Sequence, residues 1–77
     1  ADKKSIVVQI TNRDRIRIRG RDVDFRAVRA NIERLHAENP DAPVVVQPHL
    51  DSTTETMIHV MDSARQAGVF SVSIAAS

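Results

Sequence analysis

The chain has 77 residues, 42% of them hydrophobic and 27% charged, which leaves room for one small domain and reads as globular rather than disordered. It has no Cys, Trp or Tyr, and its only aromatics besides histidine are Phe25 and Phe70, so the core must be aliphatic. Disulfides, zinc–thiolate sites and thiol nucleophiles are excluded together. The formal charge of +1 hides a split, because residues 1–34 carry ten Lys/Arg against five acids and residues 35–77 carry only Arg65 against five acids.

No apolar run approaches the roughly 20 residues of a membrane helix. There is no signal peptide, and the opening Ala-Asp-Lys-Lys, without a Met, reads as a processed end or an excised fragment, in which case a targeting or membrane segment would have been cut away. Residues 1–5 read as a flexible linker and residues 6–77 as one domain.

Ser5–Thr11 is β-branched, with Ile6, Val8 and Ile10 on one face, and Arg15–Arg19 alternates strictly. With Asn12-Arg13-Asp14 between them, the two segments predict a β-hairpin whose second strand ends at Gly20. Asp24 is a candidate N-cap for a helix from Phe25 to about Glu38, whose apolar stripe is Phe25, Val28, Ile32 and Leu35. Asn39-Pro40 stops it. Val44–Val46 is a short apolar run suited to a buried strand. Ser52-Thr53-Thr54-Glu55 matches the capping box, and the helix that follows carries Met57, Ile58, Val60, Met61 and Ala64, with Gly68 as its C′ residue. Val69–Ala75 alternates again, with Phe70, Val72 and Ile74 on one side.

The expected order is therefore β-β-α-β-α-β, an α+β, two-layer sandwich with both helices on one face of a mixed four-stranded sheet. Ile6, Val8, Ile10, Ile16, Ile18, Val72 and Ile74 would face the helices, leaving Gln9, Thr11, the odd-numbered arginines, Ser71 and Ser73 on an open polar face.

Three stretches carry a family resemblance: Asn39-Pro40-Asp41-Ala42-Pro43 with the valine run, Val60-Met61-Asp62-Ser63-Ala64-Arg65-Gln66-Ala67-Gly68, and the closing strand. Together they resemble the periplasmic domain of the ExbD/TolR family of biopolymer-transport proteins, leaning toward the ExbD branch. The resemblance covers nearly the whole chain. Family members often have Ala-Asp-Lys after the third strand, a Tyr opening the second helix and Asn-Gly ending the second strand, where this chain has Pro48-His49-Leu50, Thr54 and Arg19-Gly20.

The resemblance implies a periplasmic domain of a single-pass inner-membrane protein. Such a protein works with an ExbB/TolQ-like channel protein in a motor driven by the proton-motive force. It also implies a homodimer that engages a TonB/TolA-like energy-transducing protein, with TolR-type binding to peptidoglycan as the nearest variant. The proton-responsive Asp of the family lies in a membrane helix outside this sequence, so no residue here takes the proton-relay role.

Arg13, Arg15, Arg17, Arg19 and Arg21 share a parity and form one stripe if the strand runs straight. Arg15, Arg17 and Arg19 are the candidate contacts for an anionic partner, the plain alternative being a solvated face neutralised by Asp14, Asp22 and Asp24. A nucleic-acid reader would add aromatics for base stacking, and a K-homology domain would add a GxxG loop; neither is present, which leaves a small RNA-binding domain as the rival class. His49-x-Asp51 and His59-x-x-Asp62 are loose pairs, short of the converging ligands a metal needs. No nucleophile–base set or Gly-rich phosphate loop is visible, so neither an enzyme nor a cofactor site is expected. Met57 and Met61 read as core filling.

The first strand, Ser5–Thr11, and the last, Val69–Ala75, lack internal charge or proline and are the candidate open edges for dimerisation or strand addition. Val72 and Ile74 are the candidate hydrophobic seam, unless both simply face the helices.

Overall fold

The computed structural model describes residues 5–75. The strands are β1 (Ile6–Ile10), β2 (Ile16–Ile18), β3 (Arg21–Val23), β4 (Val44–Pro48) and β5 (Val72–Ile74). The helices are α1 (Val28–Glu38), preceded by a 3-10 turn at Phe25–Ala27, and α2 (Thr54–Gln66). The sheet order is β3-β2-β1-β4-β5, with β1 antiparallel to β2 and parallel to β4, and β4 parallel to β5. This is the expected α+β sandwich with a mixed sheet, but it has five strands rather than four.

The additional strand comes from a hairpin at Arg19-Gly20. Arg19 (φ 53°) and Gly20 (φ 80°) are both left-handed, which is the backbone that a two-residue turn needs to match the twist of its strands. The chain therefore reverses after Ile18, and Arg21–Val23 pairs back on β2, with Arg17 opposite Asp22 and Ile18 opposite Arg21. The arginine stripe does not run straight. Arg17 lies on the open face opposite Gln9, while Arg21 shares a face with the buried Ile18.

The reversal also changes which strands are edges. β3 and β5 are the outer strands, and β1, expected at an edge, is the central one. That position explains why Ile6, Val8 and Ile10 are at most 2% exposed. They join Ile16, Ile18, Val44, Val46, Val28, Ile32, Leu35, Val60 and Ala64 in one core, which places both helices on one face of the sheet. Met57 and Met61 pack against that core, as expected.

Capping decides how each helix starts and stops. Asp24 accepts a bond from the Arg26 N–H at 3.2 Å, so it caps the 3-10 turn rather than α1 itself, and Phe25 stays 45% exposed instead of joining the stripe. α1 ends at Glu38, before Asn39-Pro40. The cap of α2 is Thr53, not Ser52: its hydroxyl accepts from the Thr56 N–H at 3.3 Å.

Gly68 (φ 93°) closes α2 in a Schellman motif, with Gly68 N–H bonded to the Arg65 carbonyl and Val69 N–H to that of Ala64. This folds Val69 back into the core (3% exposed) and swings Phe70 outward (86% exposed), so the alternation expected from residue 69 begins only at Val72. Of the expected linker, residues 1–4 lie outside the described residues and Ser5 is buried.

Candidate partner-binding surfaces

The two edges of the sheet differ in chemistry. Neither β3 nor β5 has an outer strand neighbour among the described residues, so each presents backbone hydrogen-bonding groups along one side. At the β5 edge, Val72 pairs with Val44 and is half-buried against the core. Ile74 pairs with Val46, yet is 49% exposed. Both side chains point to the helix side, because the registered partners of a parallel pair share a face and Val44 and Val46 are buried there. Val72 thus behaves as a core residue, while Ile74 overhangs the end of the layer.

Beside Ile74 lies an open groove of about 310 Å³ walled by Pro48, Leu50, Thr53 and Met57. Leu50 projects from the β4–α2 loop at 92% exposure. Leu50 escaped the sequence reading, since a lone apolar residue in a loop gives no periodic signal, whereas Ile58 and Phe70, read as members of the second helix and the closing strand, are exposed. The one available sign was Leu50 standing between His49 and Asp51, where turn chemistry alone would favour a polar residue.

The candidate arginines are dispersed. Arg15 stands just before β2, and its N–H donates to Thr11 Oγ1 at 3.2 Å. Arg17 donates through Nε to Asp22 Oδ1 at 2.9 Å across the β2–β3 pair, both side chains being half exposed. Arg19 sits in the turn. The structure therefore does not bring Arg15, Arg17 and Arg19 onto one straight row.

The histidines fill structural places. His59 stacks on Phe25 with ring centroids 3.7 Å apart, and its Nε2 lies 2.8 Å from the Phe25 carbonyl, joining α2 to the turn that precedes α1. Asp62 accepts instead from Gln66 at 3.2 Å. His49 Nδ1 accepts the Asp51 N–H at 3.0 Å, a local turn bond. His36 lies beside Gly68, with Nδ1 buried and unbonded. Among the described residues, no group of three or more His, Asp or Glu is placed to hold a metal ion, and no helix is long and apolar enough to cross a membrane.

The arrangement offers binding edges, and comparison with known proteins gives them a setting. The family described as biopolymer transport protein ExbD/TolR matches residues 1–77. The chain belongs to the ExbD/TolR family. It is also similar to a Vibrio cholerae protein named biopolymer transport protein exbD2, with 41% identity over 71 residues. Those residues make up 92% of this chain and 53% of that relative, so the chain spans about half the length of the curated relative it matches. Membership of the ExbD/TolR family agrees with the strings at residues 39–46 and 60–68: the first leads from the end of α1 into β4, and the second forms the C-terminal half and C-cap of α2.

Proposed function

We propose that this chain is the non-catalytic periplasmic module of an inner-membrane motor of the ExbB–ExbD–TonB type, driven by the proton-motive force. In this reading it dimerises and binds a TonB-like energy-transducing protein, which powers transport across the outer membrane. An ExbB/TolQ-like channel protein would be engaged through a membrane segment outside these residues. The observation that carries the binding role is the β5 edge, where the exposed Ile74 and Leu50 border a groove beside an open strand.

An extended partner segment adds a strand to β5, its backbone supplying the hydrogen bonds and one apolar side chain entering the groove beside Met57. Val72 holds β5 against the core and Ile74 makes the contact. Arg15, Arg17 and Arg19 supply a cationic flank that steers an anionic partner toward the domain. TolR-like binding to peptidoglycan is the neighbouring reading, and the uncovered sheet face, where Gln9 and Gln47 meet side by side at 3.4 Å, favours it as a polar platform. The RNA-binding rival loses ground because the arginine stripe is interrupted by the Arg19-Gly20 turn.

The test is an NMR titration of the labelled chain with a TonB-like periplasmic peptide. Amides of Val72–Ala75 should shift, and Ile74→Lys should weaken binding about tenfold or more, the loss of one buried aliphatic contact plus a desolvated charge. Saturable binding of a short RNA with a steep salt dependence, and silence toward the peptide, would overturn the reading.

A further inference from the structure

The opposite edge of the sheet carries a second and chemically different groove. It lies between β3 and α1, has a volume of about 680 Å³, and is floored by Ile18, Val23 and Leu35. Arg19, Arg21 and Arg34 line it. Two acids also border it, and both are engaged elsewhere. Asp22 is bonded to Arg17 on the other face of the sheet, and the Asp24 carboxylate caps the Arg26 N–H. Arg34 reaches Asn31 Oδ1 at 3.3 Å and stands 4.0 Å from Glu38. Arg19 and Arg21 have no carboxylate within 4.0 Å among the described residues. Three arginines thus line one groove, Arg34 paired with Glu38 and Arg19 and Arg21 without an ion-pair partner among the described residues.

The backbone adds an independent observation. Arg19 occupies a left-handed position (φ 53°) that asparagine or glycine would take at less cost, and it lines the groove. β3 beside it is an open edge.

We propose that this groove docks an acidic peptide segment of a partner protein. The segment lies along β3 with an apolar side chain over Ile18, Val23 and Leu35 and its carboxylates between Arg19, Arg21 and Arg34. A peptide uses all three features together: guanidinium groups fork onto carboxylates, the apolar floor takes a side chain, and the strand edge takes a backbone. Inorganic phosphate would use only the arginines. A nucleic acid would find no aromatic among the lining residues to stack on. Because β3 and β5 are opposite edges of the sheet, shifts at Ile18–Asp24 and shifts at Val72–Ala75 report this site and the one proposed on β5 separately.

The experiment titrates the labelled 77-residue chain at low salt with a capped Glu-Val-Glu-Val-Glu peptide, its Gln-for-Glu analogue, inorganic phosphate at matched ionic strength, and a short RNA. The acidic peptide should shift amides of Ile18–Asp24 and Asn31–Leu35 saturably. The analogue, and the R19Q/R21Q double variant, should each bind about tenfold more weakly, as expected for lost charge-assisted bonds. The free double variant should keep the parent spectrum away from the substituted turn, since both arginines are exposed. Absence of shifts, equal shifts with phosphate, preferential RNA binding, or shifts confined to Val72–Ala75 would each overturn the proposal.

Discussion

Asp14 and Thr53 are 39 positions apart and share two hydrogen bonds: Asp14 Oδ1 accepts the Thr53 N–H at 2.7 Å and the Thr53 hydroxyl at 3.3 Å. The turn between β1 and β2 is thereby bolted to the residue that caps α2. Asp14 also places negative charge at a helix N-terminus, where the helix dipole favours it. Its left-handed backbone (φ 57°) suits Asp or Asn better than most residues.

Asp14→Ala should therefore destabilise the domain by about 1.5–3 kcal/mol, combining lost cap bonds with left-handed strain. Asp14→Asn, which keeps an acceptor and the backbone preference, should cost less than half as much. Urea unfolding of the two variants checks both values. Equal losses would mean that the charge, not the hydrogen bonding, holds the turn.

The Arg19-Gly20 turn gives a prediction of opposite sign. Arg19→Asn supplies the residue that a left-handed first turn position favours and should stabilise the fold by about 0.5–1 kcal/mol. The measurement is a shift in thermal midpoint. Such a gain would show that arginine is held there for something other than stability, in keeping with its place at the basic groove.

Gly68→Ala should cost about 1–2 kcal/mol for backbone strain alone. A Cβ at that position would meet only His36, at an ordinary contact distance of 3.8 Å. A double-mutant cycle with His36→Ala should accordingly show additivity within about 0.5 kcal/mol. A larger coupling would place a packing conflict where the structure has none.

The two most contrasting side chains to remove are Ile32 and Arg17. Ile32 is fully buried between the helices and the sheet, so Ile32→Ala should cost about 2–5 kcal/mol, enough to leave a domain of this size marginal. Arg17 makes the shortest ion pair among the described residues, yet both partners are half exposed, and Arg17→Ala should change stability by no more than about 0.5 kcal/mol. Chemical unfolding at two salt concentrations would separate the cases, since only the second effect should respond to ionic strength.

Residue patterns give the strand and helix positions of the candidate residues, and the departures have definite causes. Alternation places Val72 and Ile74 in the closing strand, and the structure keeps them there. Phe70 was assigned with them and stands outside, because the Schellman turn at Gly68 resets the phase of the chain by consuming Val69 as its hydrophobic contact. Parity alone runs the arginine stripe straight through Gly20, although Arg19-Gly20 is itself a hairpin turn. A one-strand reading of residues 15–21 and a two-strand reading share the same parity pattern, and the turn decides between them.

Local pattern by itself determined the aliphatic core, the two helices with their stops at Asn39-Pro40 and Gly68, the α+β class and the family strings. Each follows from side-chain period or backbone restriction within a few residues, which any chain carries into its fold. Only the tertiary structure decided which strands are edges and which arginines line one groove. Edge identity depends on how β3 adds to β2 and how the parallel crossovers place β4 beside β1, pairings between residues far apart in sequence. The charge split of the sequence thus resolves into two unlike margins. Ile74 and Leu50 border an apolar groove at β5, and Arg19, Arg21 and Arg34 line a groove at β3 because the chain turns back and sets Arg21 beside Ile18.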